Sequence, residues 1–284
     1  MQQKFGGGAV PIRINDKTFR ALLPGILALA TVLVLVVGLL IGLEQPFAPT
    51  EPTLPETTEP TVLAPNPYGP GDFTYDDRGF LTCTAGTATL GIDVSEHQQD
   101  IDWEQVKAAG VEFVMIRVGW RGQTKGALEE DTMARRYYAG AKAAGLKVGA
   151  YFFSQAISEA EAVEEAEFVM NIIRKWDVEM PVVFDWEIVD SADRTCVVDA
   201  DLLTRCTKAF CDAVTRGGYR PMIYFNPYQA ENLLHLEELA AYPFWLAMYD
   251  DAMDYPYAVA MWQYSCTGQV PGIETDVDMN LWFS

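Results

Sequence analysis

Positive charge is scarce in this chain. Twenty Lys and Arg stand against 40 Asp and Glu, a formal net charge of −20 over 284 residues. Such an acidic surface argues against nucleic acid as a partner, because phosphate backbones are held by clustered Lys and Arg. Histidine is scarcer still: His97 and His235 are the two present, and they lie far apart. The five cysteines (Cys83, Cys196, Cys206, Cys211 and Cys266) contain no Cys-x-x-Cys pair. Both features argue against a zinc centre, and no metal or other cofactor is implied. An odd cysteine count leaves at least one thiol unpaired within a monomer. Cys206 and Cys211, five apart in an expected helix, face different sides and are not expected to bond to each other.

Charge of either sign is missing from residues 21–43. Twenty-three apolar residues at about 1.5 Å rise are long enough to cross a hydrocarbon core of roughly 30 Å. A cleaved signal peptide would have a shorter apolar core followed by a small-residue cleavage site. This run is longer, and no clear Ala-x-Ala follows it. Lys4, Arg13, Lys17 and Arg20 precede it, and Glu44, Glu51, Glu56 and Glu59 follow it. The positive-inside rule therefore predicts a single-pass membrane protein with residues 1–20 in the cytoplasm and everything after residue 43 outside. Residues 44–67 are rich in Pro, Thr and Glu and have too few apolar residues for a core, so an extended linker is expected. Residues 68–86 are a lead-in, with a candidate hairpin around Asp76 to Gly79.

From Thr87 the pattern is regular. Strands are expected at 89–95, 113–119, 147–154, 180–188 and 221–226. Helices are expected at 102–109, 128–144, 158–176, 201–216 and 228–241, several of them stopped by glycine. The strands at 244–249, 259–264 and 276–282 have no helix long enough to separate them. Mostly apolar strands alternating with helices imply a parallel sheet covered on its outside. The expected fold of residues 87–284 is thus α/β: an irregular TIM-like barrel, (β/α)5 followed by three strands. Reactive groups in such barrels sit at the C-terminal strand ends, where Asp93, Asp185, Glu187 and Asp278 fall.

Residues 182–187 read Val-Val-Phe-Asp-Trp-Glu. Side chains alternate along a strand, so Asp185 and Glu187 project to the same side. Two close carboxylates repel, and one holds its proton towards neutral pH. One acid to protonate a leaving oxygen and another to stabilise positive charge is the pairing that glycoside hydrolysis uses. A strand ending in two solvated acids is the plainer reading of an isolated Asp-x-Glu.

Six segments decide between them. Gly91-Ile-Asp-Val-Ser, Ile101-Asp-Trp-Glu-Gln-Val-Lys-Ala-Ala-Gly, Phe113-Val-Met-Ile-Arg-Val-Gly, Val183-Phe-Asp-Trp-Glu, Met261-Trp-Gln-Tyr-Ser and Val277-Asp-Met-Asn resemble, in order and spacing, the family 25 glycoside hydrolases, which are N-acetylmuramidases or Chalaropsis-type lysozymes (EC 3.2.1.17). The resemblance covers residues 90–284. It implies an irregular eight-stranded barrel and cleavage of the β-1,4 bond between N-acetylmuramic acid and N-acetylglucosamine in bacterial peptidoglycan. It also implies Glu187 as general acid, Asp185 as its partner carboxylate, and Asp93 and Asp278 as the two other acids of the cleft. Family members often carry Gly after the Gln that follows Asp-Val-Ser, whereas this chain has Gln98-Gln99. Family 18 chitinases also end a strand in Asp-Trp-Glu, but with further acids where this chain has Met180 and Val183.

Tyr151, Tyr224, Trp245, Trp262 and Tyr264 sit on expected strands and read either as core or as sugar-stacking residues of the cleft. Arg117 reads equally as a partner for a cleft acid or as an edge residue, and His97 as a cleft or a solvated side chain. Two functions follow: a membrane-anchored, extracellular muramidase with a monomeric catalytic domain acting on peptidoglycan strands, or an inactive glycan-binding wall module on the same barrel. The presence of all four acids favours the first, because crowding acids costs electrostatic energy that a mere receptor has no need to bear.

Overall fold

The computed structural model describes residues 62–189 and 194–283. The expected tail, apolar run and most of the linker lie outside the described residues. Among the described residues, no helix is long and apolar enough to cross a membrane.

The chain opens with a hairpin of β1 (Phe73–Tyr75) and β2 (Leu81–Cys83). Its turn is set by the Asp76 carboxylate, which accepts from the backbone N–H of Arg78 and Phe80, and by Gly79 at φ +84°. There follow β3 (Ala88–Val94), α1 (Trp103–Ala108), β4 (Phe113–Arg121), β5 (Leu128–Glu130), α2 (Ala134–Ala143), β6 (Lys147–Ser154), α3 (Glu159–Ile173) and β7 (Val182–Trp186). The chain continues through α4 (Ala200–Arg216), β8 (Pro221–Phe225), α5 (Pro227–Asn232), α6 (Leu236–Leu239), β9 (Phe244–Ala247), β10 (Met261–Gly268) and β11 (Val277–Phe283). Side-chain caps set several helix starts: Asp102, Ser158, Asp199 and Asn226 each accept from a backbone N–H of the first turn, satisfying donors the helix cannot.

Eight strands close a barrel in the order β3-β4-β6-β7-β8-β9-β10-β11, with β11 returning to β3. Neighbours from β3 round to β10 are parallel, and β11 is antiparallel to both of its neighbours. The sequence pattern predicted a parallel sheet, so this last strand is a departure. It has a physical reason: only a short loop separates β10 from β11, and a parallel crossover needs a dozen residues or more. The expected helix over 128–144 begins later than predicted. Residues 128–130 fold back as β5 against the end of β4, and Asp131 accepts from the N–H of Met133 to start α2. The helix expected over 228–241 is broken into α5 and α6.

Alternation along the strands divides the apolar residues into two sets. Phe113, Met115, Met180, Val183, Met222 and Met261 point inward and plug the N-terminal end of the barrel. Gly91 and Gly149 make room for this plug; a Cβ on Gly91 would lie 2.2 Å from the Phe113 ring. Outward-facing residues such as Ile92, Ile116, Phe152, Phe184 and Phe225 pack in the outer layer.

Helices are sparse outside β10 and β11, and the lead-in takes their place. Phe73 packs edge-on to Trp262 at 5.0 Å and to Phe283 at 6.2 Å, while Tyr68 lies 4.8 Å from Phe283. Leu63, Phe73, Phe80 and Leu81 are buried there. Asn66 donates to the carbonyls of Met253 and Tyr255, and Pro65 bridges to Tyr257. The lead-in belongs to the same compact unit as the barrel, Thr57–Ser284.

Candidate active site

The C-terminal ends of the parallel strands and the N-terminal end of antiparallel β11 enclose a cleft of about 240 Å³. Asp278 thus reaches it from the start of its strand and not from the C-terminal end expected. Asp93 (β3), Asp185 and Glu187 (β7 and the residue after it) and Asp278 (β11) all line it. The four acids form two pairs. Asp185 and Glu187 share one face of β7, as their i, i+2 spacing requires. Asp93 and Asp278 lie directly opposite each other in the β3–β11 ladder. In the barrel order β3 and β7 are three strands apart, so the pairs approach from different walls. Larger hollows on the outer surface gather no such buried acids; one of about 560 Å³ lies against α5 and α6.

Asp93 is the most firmly held. One of its carboxylate oxygens accepts from Gln263 Nε2 and from Asn280 Nδ2, each at 2.8 Å. Both amides are themselves oriented: Asn280 Oδ1 accepts from Trp245 Nε1 at 2.8 Å, and Gln263 Oε1 from the hydroxyls of Tyr224 at 2.9 Å and Tyr249 at 3.2 Å. Burial raises the Asp93 carboxyl to about 6, against these hydrogen bonds, which favour its ionised form. Asp278 lacks such a set of donors, and burial next to Asp93 pushes it up to about 9. Around pH 7, Asp93 is thus mainly ionised while Asp278 keeps its proton.

The Asp185–Glu187 pair is governed first by burial. Asp185 is 5% exposed, and its Oδ1 has no hydrogen-bond partner. Desolvation raises Asp185 well above the usual carboxylate range, with repulsion from Glu187 and Asp93 adding to it. Desolvation raises Glu187 too, but its contact with Asp185 pulls the other way. The resting pair therefore retains a proton.

Of the five aromatic candidates, Tyr151, Tyr224 and Trp245 line the cleft. Trp262 and Tyr264 do not. They face outward from β10 into the outer layer, and the Trp262 indole donates to the Met248 carbonyl at 2.7 Å. The period-2 rule accounts for this: Met261 and Gln263 take the inward positions, so Trp262 and Tyr264 take the outward ones. Arg117 lines the cleft but pairs with Asp131 at 2.9 Å and with Glu96 at 3.5 Å rather than directly with one of the four acids. His97 lines the mouth and is exposed. Gln263, Asn280 and Tyr249 form the hydrogen-bond network behind Asp93 and were not singled out in the sequence. Gln263 and Asn280 were visible in principle, as lone amides within apolar strands. All five cysteines are free thiols.

Behind β7, Gln155 Nε2 donates to the carbonyls of Ser154 at 2.8 Å and Glu187 at 2.7 Å. Gln229 donates to the carbonyl of Trp186, whose indole donates to Ala156 O at 3.0 Å. The loop after β3 has its own constraint: Gln99 adopts φ +54°, a region that favours glycine.

The family profile for glycosyl hydrolases family 25 matches residues 92–273. The chain is 28% identical over 194 residues to an autolytic lysozyme of Clostridium acetobutylicum, covering 67% of this chain and 54% of that protein. It is 28% identical over 200 residues to lysozyme M1 of Streptomyces globisporus, covering 67% of this chain and 66% of that one. It therefore spans about half to two thirds of these relatives. Among solved structures, the modular autolysin LytC of Streptococcus pneumoniae superposes with a TM-score of 0.62 at 26% identity, covering 74% of this chain and 50% of LytC. LytC has also been solved in complex with a synthetic peptidoglycan ligand. The bacterial lysozyme of Streptomyces coelicolor shares the fold, with a TM-score of 0.55 at 24% identity over 69% of this chain and 92% of that one.

Proposed function

The chain belongs to glycosyl hydrolases family 25, and from that membership we propose that it is a membrane-anchored muramidase that cleaves the β-1,4 bond between N-acetylmuramic acid and N-acetylglucosamine in peptidoglycan. The observation that carries the proposal is the meeting of two carboxyl pairs, Asp185–Glu187 and Asp93–Asp278, each with one buried member, in one cleft. Glu187 is the general acid. It protonates the leaving glycosidic oxygen and later deprotonates the attacking water.

Asp185 is the orienting carboxylate. Its unpartnered Oδ1 suits the N–H of the substrate's 2-acetamido group. As that N–H docks, the charged form of Asp185 is favoured, and its proton passes to Glu187. The acetamido carbonyl oxygen then attacks the anomeric carbon as the glycosidic bond breaks, giving an oxazolinium whose charge Asp185 steadies. Water reopens this intermediate with net retention. Asp93, ionised and fixed by Gln263 and Asn280, supplies a negative field across the cleft, and Asp278 tunes it. Tyr151, Tyr224 and Trp245 shape the sugar site.

Residues 21–43 serve as the single span, with residues 1–20 in the cytoplasm and the catalytic unit outside, acting as a monomer. Protease added to intact protoplasts should remove that unit, and full protection would refute the topology. For the chemistry, the test is release of reducing ends from purified peptidoglycan, with NMR of the first-formed anomer. Binding without release would favour the inactive wall module. An inverted first product, or a glycosyl adduct on Asp93 or Asp278, would rule out substrate assistance.

A further inference from the structure

We infer that the barrel end opposite the cleft is a docking surface for an anionic lipid bilayer. Among the described residues, Lys147, Arg174, Lys175, Arg216 and Arg220 make no ion pair with a described carboxylate. All five are exposed. Lys147 opens β6, Arg174 and Lys175 close α3, Arg216 ends α4, and Arg220 immediately precedes β8. Every one of these positions is at the N-terminal end of the barrel strands, whereas the four acids lie at the other end.

The segments that carry these residues are neighbours. At Gly217, α4 packs so tightly on α3 that a Cβ would meet Met170 Sδ at 2.1 Å, which sets Arg216 beside the helix that ends in Arg174. Arg220 donates to the Glu179 carbonyl, and the Glu179 carboxylate accepts from Val148 N–H, next to Lys147. The acids of this sector are each paired: Asp177 and Glu179 with Lys142, Glu112, whose carbonyl accepts from Lys147 N–H, with Lys107, and Asp212 in α4 with Lys208. In a chain of net charge −20, this face is locally cationic. Helix dipoles account for cations at the ends of α3 and α4. They do not account for Lys147 and Arg220, which belong to strand entrances.

Complementary charge and position both point to lipid. Each Lys or Arg brought close to an anionic leaflet strengthens binding roughly fivefold. Docking by this end directs the cleft away from the bilayer. The docking rests on the proposed membrane anchor only in supplying proximity. Residues 44–61, at about 3.1 Å per residue when extended, are long enough to let either end of the barrel meet the surface.

The test compares the full chain on phosphatidylcholine vesicles and on vesicles containing about a third phosphatidylglycerol, a composition chosen to raise the surface charge. Labelling by a membrane-impermeant amine reagent is read by peptide mass spectrometry at Lys147 and Lys175. Lys125, exposed in the loop after β4 at the cleft end, is the internal reference. Relative to Lys125, Lys147 and Lys175 should label at least about fivefold more slowly on the anionic vesicles, and high salt should abolish the difference. In the variant R174E/R216E/R220E the protection at Lys147 and Lys175 should disappear, with hydrolysis of soluble glycan fragments unchanged. Equal labelling ratios on the two vesicles would overturn the inference. So would protection that appears only with an added anionic wall polymer. If alkaline washing strips the chain from vesicles, the anchor proposal fails. The labelling contrast, measured with the protein added back, still decides the lipid-docking inference on its own.

Discussion

The side-chain amide of Gln155 donates to the backbone carbonyl of Glu187 at 2.7 Å, tying the end of β6 to the residue that carries the proposed acid. Gln155 is fully buried and contacts the acid through its main chain. It acts on the position of the carboxyl rather than on substrate. Replacement by Leu leaves the carbonyls of Ser154 and Glu187 without this donor and lets the strand end drift. We expect kcat to fall roughly 10–100-fold with KM nearly constant. A proportional rise in KM with kcat unchanged would show that Gln155 shapes binding instead.

Glu187→Gln keeps shape and removes the transferable proton. Turnover should drop by about 10²–10⁴-fold, the usual value of general acid–base catalysis, with an unchanged melting profile. Asp185→Asn should fall comparably, because the 2-acetamido group then loses its orienting carboxylate and the oxazolinium its countercharge. Near-normal turnover by Glu187→Gln would assign the donor role elsewhere.

Stability should fall as pH rises from about 5 to 9. Asp93, Glu165 and Asp278 have folded-state values of about 6, 7 and 9, all raised chiefly by burial, against about 4 in the unfolded chain. Raised carboxyls contribute stability that is complete below the unfolded value and is lost as pH climbs through the folded one. Asp278→Asn removes the most alkaline of these steps. Calorimetry at pH 8 should show it melting at least about 2 °C above the parent, with the gap closing near pH 4. A gap that widens on acidification would reverse the sign of this argument.

Gln99 pays for its φ of +54°, although Tyr137 holds its carbonyl with a hydrogen bond from the hydroxyl. Backbone conformations of this kind cost about 1–3 kcal/mol for a residue with a Cβ. Gln99→Gly should therefore stabilise the domain by about 1 kcal/mol in urea melts, after the extra chain entropy of glycine is subtracted. Destabilisation would mean that the side chain itself has a structural role.

Phe73 joins the lead-in to Trp262 and Phe283. Phe73→Ala should cost about 3 kcal/mol by the cavity it leaves, and removal of residues 1–86 should cost more. A truncated chain beginning at residue 87 that melts like the parent would show that the lead-in is dispensable.

The barrel and the acids were legible because both depend on short-range rules. Alternation along one strand puts Asp185 and Glu187 together, and strand–helix periodicity puts Asp93 at a C-terminal strand end. Asp278, by contrast, opens β11 and reaches the cleft because that strand runs the other way. The same alternation, applied to Met261-Trp-Gln-Tyr-Ser, would have turned Trp262 and Tyr264 outward once the lone amide Gln263 was taken as the inward residue. The direction of β11 was legible only from the shortness of the loop before it. The strand at 128–130 was hidden because Leu-Glu-Glu is equally good as the start of a helix, and only pairing with the end of β4 decides. The burial of Asp185, 5% exposed, depends on depth within the barrel, which no local pattern encodes.

Tyr68 and Phe283 stand ring against ring at 4.8 Å, so the two ends of the folded unit emerge side by side. A passenger domain fused after Phe283 would leave beside the lead-in, at the N-terminal end of β3 where Phe283 pairs with Ala88, away from the cleft. The folded unit could equally be hung from a C-terminal support, or inserted whole into a surface loop of another protein, without threading chain across the cleft.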